Sequence, residues 1–148
     1  MSSSIRVFVV LVSAAILALG CDSGTSGGAA AATPAIEIVG SWTNNFAGDE
    51  TITADKWTSA GGAAKIVALD NGKNLAYTQN AADAQYGPAK FNKTVWTEPK
   101  ADSFYYCMID FNKDSLALAK ASTLVADDKD LEKSGCAGFG WTKMTKKK

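Results

Sequence analysis

Apolar and polar residues alternate along several short stretches of the chain, as they do in strands that bury one face. Segment 35–43 is the first of these stretches, and segment 50–57 repeats the pattern after a turn at 47–49. The residues on the apolar face of the first stretch are Ile36, Ile38, Gly40 and Trp42. The pattern therefore predicts that the folded part of the chain opens with half-buried strands.

Later stretches are separated by turn signals. Segments 64–69 and 74–78 flank Asn71-Gly72, the dipeptide most typical of a tight hairpin, because both residues accept a positive φ. Segments 91–98 and 103–111 flank a turn that begins at Pro99. Segment 139–145 supplies a last strand.

One stretch, 114–122, has the composition of a helix, with Asp114 as the expected N-cap. Seven or eight short antiparallel strands and a single short helix predict an all-β barrel or sandwich. Because neighbouring strands are joined by short turns, the expected order is that of a meander.

The first 20 residues differ from the rest in composition. Arg6 is their one charge, and Val7 to Leu19 is almost free of polar side chains. This is the pattern of a secretory signal peptide. A membrane-spanning helix needs about 20 apolar residues, so an anchor of that kind is disfavoured.

Cys21 directly follows Gly20, and segment 17–21 resembles the bacterial lipobox. Ala18 stands where the commonest form of that motif has leucine. The resemblance implies cleavage before Cys21, acylation of its thiol, and a membrane partner bound through lipid chains. It implies an extracytoplasmic location, at the outer membrane or cell surface rather than the inner membrane. The alternative is a secreted protein in which Cys21 forms a disulfide.

The composition after Cys21 sets the domain organisation. Residues 22–35 are mostly Gly, Ser, Ala and Thr, which behave as a flexible tether. We therefore expect a signal peptide at 1–20, an acylated cysteine and tether at 21–35, one β-barrel domain at 36–145 and a basic tail at 146–148.

Charge and residue content narrow the possible functions. The chain has 15 basic and 15 acidic residues and no histidine. Arg6 is its only arginine, so 14 lysines face 15 carboxylates after position 20. The chain has no stripe of basic residues of the kind that indicates nucleic-acid binding. Because histidine is the usual general base and the commonest metal ligand, its absence disfavours an enzyme and a metal site. A glycosidase-type carboxylate pair stays formally possible. We expect no cofactor, and the acidic run 127–132 fits a solvated loop better than a calcium loop.

The segment Gly40-Ser41-Trp42, near the start of an all-β domain, resembles the Gly-x-Trp first strand of the lipocalins and avidins, together called calycins. The resemblance implies a small up-and-down barrel whose open end takes a small apolar ligand. It also implies that Trp42 packs across the closed end; a plain core role is the simpler alternative. The residues expected to contribute to ligand binding are Trp42, Trp57, Tyr77, Tyr106 and Trp141.

Two functions are therefore expected. The first is a lipid-anchored binding protein for a small apolar ligand, and the second is a surface interaction or adhesion module with a filled barrel and an aromatic exterior. If Trp42 forms the floor of a barrel, we expect it to lie near Trp141. If Trp57 and Trp96 lie on the barrel rim, replacing either should cost less stability than replacing Trp42.

Cys107 and Cys136 remain after Cys21 is acylated. In an exported protein such a pair is expected to form a disulfide, here closing a loop of about 30 residues. Segment 103–111 is apolar on both faces, so the helix at 114–122, held by that bond, is expected to cover its outer face.

Overall fold

The computed structural model describes residues 34–148. The predicted signal peptide, the lipidation site at Cys21 and the tether as far as residue 33 lie outside the described residues.

The described chain forms a closed, eight-stranded antiparallel barrel in which each strand pairs with its neighbours in sequence and the last strand pairs with the first. This confirms the predicted all-β, up-and-down barrel with one short helix. The strands are β1 (Gly40–Asn44), β2 (Asp49–Ile52), β3 (Lys56–Ser59), β4 (Gly62–Asp70), β5 (Leu75–Asn80), β6 (Phe91–Trp96), β7 (Ser103–Lys113) and β8 (Thr142–Lys146). The helix is α1 (Leu116–Lys120).

Some predicted elements differ from the observed ones. Segment 50–57 is two strands, because Thr53 N donates to Lys56 O at 2.8 Å and turns the chain between them. The Asn-Gly sequence lies in a 3-10 turn, Asn71–Lys73, and the positive φ falls on Asn74 instead. Helix α1 is capped by Ser115, whose hydroxyl accepts from Leu118 N, rather than by Asp114, which pairs with Lys90.

One end of the barrel is closed by the segment that precedes β1. Ile36 and Ile38 are each 1% exposed and join the main core. The Trp42 indole nitrogen donates to Ile38 O at 3.0 Å, and the Trp96 indole nitrogen donates to the Glu37 carboxylate at 2.6 Å. This end, with residues 35–39 across it, is called the closed end below.

Trp42 fills the closed end as the calycin resemblance implied, but its neighbours differ from those expected. Its ring meets the Phe104 ring edge-on at 4.7 Å, whereas Trp141 belongs to a separate cluster on the outer wall. A Cβ on Gly40 would lie 3.3 Å from the Trp42 indole nitrogen, so the ring that crosses Gly40 comes from the same strand and not from a neighbouring one.

Trp57 and Trp96 are also inside the barrel rather than on its rim. They are 8% and 3% exposed, because their positions on β3 and β6 are in phase with the inward face. The condition under which their replacement would cost less than that of Trp42, a position on the rim, is therefore not met.

The outer face of β7 is covered mainly by the long segment between α1 and β8, residues 121–141. Cys107, Ile109 and Trp141 form a buried outer cluster with Ala126, Leu131 and Cys136 from this segment. The predicted disulfide Cys107–Cys136 is present and links segment 121–141 to β7. Helix α1 instead lies against β5, β6 and β7, so it covers only part of the face assigned to it.

Candidate functional site

The end of the barrel opposite the closed end contains a cavity of about 400 Å³. It lies between the β3–β4 turn, the loop at 81–90 and the last residues of β7. Large side chains fill the closed half of the interior, whereas the inward positions in the open half carry smaller or polar groups. The cavity is the space that these smaller side chains leave.

The wall of the cavity includes a buried carboxylate, Glu50, which is 3% exposed. The Trp57 indole nitrogen donates to its Oε2 at 2.6 Å. Its Oε1 accepts from the Tyr106 hydroxyl at 3.0 Å and from Asn44 Nδ2 at 2.8 Å. Four strands, β1, β2, β3 and β7, are therefore tied to one carboxylate inside the barrel.

The Tyr106 side chain is held in its protonated form. Burial, and then the charge of the neighbouring Glu50 carboxylate, raise the pKa of Tyr106 well above its ordinary value of 10.0. The hydroxyl therefore stays a hydrogen-bond donor to Glu50 throughout the physiological range. Its ring meets the Trp57 ring at 4.9 Å, so the two aromatic side chains form one wall of the cavity.

A second set of polar groups lies on β5 and β6. Asn92 is 1% exposed, and its Nδ2 donates to Asn80 Oδ1 at 2.8 Å and to Thr78 Oγ1 at 3.4 Å. Asn80 Nδ2 in turn donates to the backbone carbonyls of Tyr86 and Gly87. This network connects the polar interior to the loop at the cavity mouth.

The mouth itself is apolar. Tyr86, Phe111 and Met108 line it and are 69%, 57% and 41% exposed. Large apolar side chains held in water at the entrance of a cavity are typical of a binding site. The cavity is therefore amphiphilic, with polar groups inside and apolar groups at the entrance.

Phe111 reaches the cavity because β7 is irregular. The register between β6 and β7 shifts between Phe91 and Lys93 and again between Lys93 and Thr94. Strict alternation would place Phe111 with Cys107 on the outer face and Asp110 on the inner one. The register shifts bring Phe111 to the mouth of the cavity and leave Asp110 paired with Lys113.

The five residues predicted to bind a ligand occupy different parts of the fold. Trp57 and Tyr106 line the cavity. Trp42 is in the filled half of the barrel, and Tyr77 is on the outside with the Lys120 ammonium 6.0 Å from its ring centre. Trp141 is in the outer cluster, where its indole nitrogen donates to Asp127 O at 3.1 Å.

Sequence reasoning did not assign Glu50, Asn92 or Phe111 to the site. The signal for Glu50 was present, because it is in phase with Ile52 on the inward face of its strand. For Phe111 no signal was available, since the register shifts in β7 follow from pairing with β6.

The outer wall has concave regions as well. A groove of about 810 Å³ runs between β6, β7 and the exposed residues Leu124 and Val125. Another, of about 570 Å³, lies beside Phe46 and Phe139, which are 74% and 75% exposed. Neither contains a buried charged group, so we treat the barrel interior as the candidate site.

Two features of the described residues bear on other functions. Among residues 34–148, no three His, Cys, Asp or Glu side chains come close enough to form a metal site. Within the same range, none of the helices has the length and apolar character needed to cross a membrane.

The eight-stranded barrel is compatible with a calycin-like fold. No family model, no curated protein and no solved structure matches the chain.

Proposed function

We propose that the domain binds a small amphiphilic ligand in the open end of the barrel. The observation that carries the proposal is the cavity of about 400 Å³, within the range of about 300–1,000 Å³ that ligand pockets occupy. Its mouth is apolar, and its inner wall offers the polar groups of Glu50, Asn92 and Thr78. Such a division favours a ligand with an apolar body and one polar end, rather than a wholly apolar one.

We also propose that the domain acts from a membrane surface to which Cys21 anchors it. This part is supported by the pattern of residues 1–21 and the Gly- and Ser-rich composition of the tether. A binding domain on such a tether would capture its ligand within a few nanometres of the bilayer, by the scaling for about 14 flexible residues.

The second candidate is a surface interaction module. It is supported by the exposed rings of Phe46 and Phe139 beside a shared groove. That function was expected together with a filled barrel, and the open half of this barrel is not filled. The cavity therefore favours ligand binding.

Blocking the cavity tests the proposal. Ala84 lines the cavity and Ala82 lies on the same loop, exposed and outside it. Intrinsic tryptophan fluorescence, to which Trp57 in the cavity wall contributes, reports titration with a panel of small amphiphilic amines, alcohols and acids. We expect saturable changes in the wild type and in Ala82→Trp but not in Ala84→Trp. Absence of saturable binding for every member of the panel would contradict the proposal.

A further inference from the structure

Glu50 is the one charged side chain among the residues that line the cavity. Its three hydrogen-bond donors, Trp57, Tyr106 and Asn44, are all neutral. None of the four ion pairs within residues 34–148 involves Glu50. Glu50 is 3% exposed, so its carboxylate is buried and has no positively charged partner.

Burial of a carboxylate without a counter-charge is costly, even when neutral groups donate hydrogen bonds to it. A carboxylate has about four acceptor positions, and here three are used. Oε1 accepts two hydrogen bonds and Oε2 accepts one, from Trp57. The Oε2 oxygen therefore retains an acceptor position, and the Glu50 side chain lines the cavity.

Three convergent donors explain part of the choice of a carboxylate, because a neutral glutamine would offer them a single acceptor oxygen. They are all neutral, however, and leave the negative charge of Glu50 without a positive partner. The rest of the lining also suits a cation, because it has no lysine and places the rings of Trp57 and Tyr106 beside the carboxylate. Aromatic faces and a carboxylate together attract ammonium groups.

We propose that the cavity binds a small organic cation, an ammonium group on an apolar body, with the ammonium at Glu50 Oε2. The apolar body extends past Tyr106 toward Phe111 and Tyr86 at the mouth. This inference rests on the proposed function and specifies the polar end of the ligand. The chemistry of recognition is charge-assisted hydrogen bonding to a desolvated carboxylate.

Three probes of nearly equal size test the inference at about 0.15 M salt, where distant surface charges are screened. Phenethylamine is a cation at neutral pH, phenethyl alcohol is its neutral analogue, and phenylpropanoate is an anion. Titration calorimetry on the full-length protein measures the affinity of each. We expect the amine to bind at least about tenfold more tightly than the alcohol, and the anion to bind most weakly.

Glu50→Gln keeps the shape of the side chain and removes its charge, so it should reduce the preference for the amine to about threefold or less. Asp83→Asn is the matched control, because Asp83 is an exposed carboxylate on the mouth loop that does not line the cavity. This variant should keep the wild-type preference. A preference that survives in Glu50→Gln would overturn the assignment to Glu50.

The wild-type protein alone also decides the question if Glu50→Gln does not fold. The NMR signal of the Trp57 indole N–H, which donates to Glu50 Oε2, should shift more with the amine than with the alcohol. Equal affinities and equal shifts would overturn the cation inference while leaving cavity binding intact. Binding of none of the probes, in the wild type or any variant, would overturn both.

Discussion

The indole N–H of each of the four tryptophans donates to an acceptor, and the position of the acceptor indicates the role of the ring. Trp42 and Trp96 close one end of the barrel, Trp57 forms part of the cavity wall, and Trp141 packs within the outer cluster. The donor and acceptor pairs are Trp42 with Ile38 O, Trp57 with Glu50, Trp96 with Glu37 and Trp141 with Asp127 O. An indole buried with its N–H satisfied contributes both apolar area and a fixed orientation.

Trp96→Ala should destabilise the domain about as much as Trp42→Ala. Both rings are buried in the closed half of the core, and truncation of a buried aromatic residue costs about 3–5 kcal/mol. Chemical denaturation of the two variants measures the cost. A Trp96→Ala variant within about 1 kcal/mol of wild type would show that the ring is peripheral.

Tyr106 should make the stability of the domain depend on alkaline pH. Its pKa in the folded state is raised by burial and by the Glu50 carboxylate, so the folded protein keeps a proton that the unfolded chain loses near pH 10.0. The stabilisation is complete below that pH and is lost as pH rises toward the folded pKa.

The measurement compares the unfolding free energy of wild type and Tyr106→Phe between about pH 8 and pH 11, around the ordinary tyrosine pKa. Above pH 10.0 the wild-type value should fall more steeply, by up to about 1.4 kcal/mol per pH unit for one proton. Parallel curves for the two proteins would contradict the raised pKa.

Sequence reasoning identified two of the cavity residues because aromatic residues are common in binding surfaces. Trp57 and Tyr106 were found on that basis, but Trp42, Tyr77 and Trp141 have the same composition signal and lie elsewhere. Glu50 was missed because a glutamate in an alternating strand is ordinarily assigned to solvent. Its burial depends on donors from other strands, which a single strand pattern does not contain.

At the scale of elements, segment 121–141 acts as an outer layer on β6 and β7. Its attachment combines the Cys107–Cys136 bond, the apolar contacts of Leu131 and the hydrogen bonds that Lys93 Nζ on β6 donates to Ser122 O at 3.0 Å and Leu124 O at 2.8 Å. Only the disulfide is covalent, and it spans 29 residues of sequence.

Replacing both cysteines with alanine should lower stability by about 3–4 kcal/mol according to the chain-entropy estimate for a loop of this length. The barrel strands keep their pairing, so the far-ultraviolet circular dichroism of the double variant should resemble that of wild type. Limited proteolysis should cut first within residues 121–141. Cutting within the barrel strands first would contradict the view that this segment is a separate outer layer.

Gly135 is required for the path of the outer segment. A Cβ at this position would lie 2.0 Å from Asp127 O and 2.5 Å from Asp130 O, both backbone atoms that cannot rotate away. Gly135→Ala should therefore cost about 1–3 kcal/mol, as overpacking does.

Gly72→Ala is the control, since a Cβ there would meet only the Asp70 side chain at 3.5 Å. Its effect should stay within about 0.5 kcal/mol of wild type. Thermal unfolding of the two variants provides the comparison, and equal effects would show that the clash at Gly135 is relieved by local movement.

Elements were predictable from sequence where apolar stretches of five residues or more lay between clear turn signals, as in β4 to β7. Segment 50–57 was predicted as one strand because its central turn, Thr53-Ala54-Asp55, contains neither glycine nor proline. The turn is stabilised instead by the Thr53 hydroxyl, which donates to Asp55 Oδ1 at 2.9 Å. Strands of four residues are too short for a periodic pattern to separate them.

At the scale of the whole molecule, the barrel has a filled half and an open half. The barrel class was predictable, because successive hairpins in a chain of this length leave few other arrangements. The cavity was not, because its volume depends on how inward side chains from eight strands fill a shared space. The boundary between the halves lies at the level of Glu50 and Thr78, which are 3% and 2% exposed.

Cys21→Ser tests the proposed membrane anchor. The lipobox resemblance predicts that metabolic labelling with radioactive palmitate marks the wild-type protein and not the variant, and that the variant leaves the membrane fraction or accumulates as a precursor. Cys107→Ala together with Cys136→Ala is the matched control and should still be labelled. A Cys21→Ser protein that still carries palmitate would exclude the proposed anchor.

Closure of the barrel by its last strand has a consequence for synthesis. β1 pairs with β8, so that Thr43 is opposite Thr145, near opposite ends of the domain. Until β8 emerges from the ribosome, β1 and β7 each present a row of unpaired backbone groups, which is the surface on which strands of different chains join. Nascent copies are therefore vulnerable to strand exchange from the synthesis of β1 until that of β8.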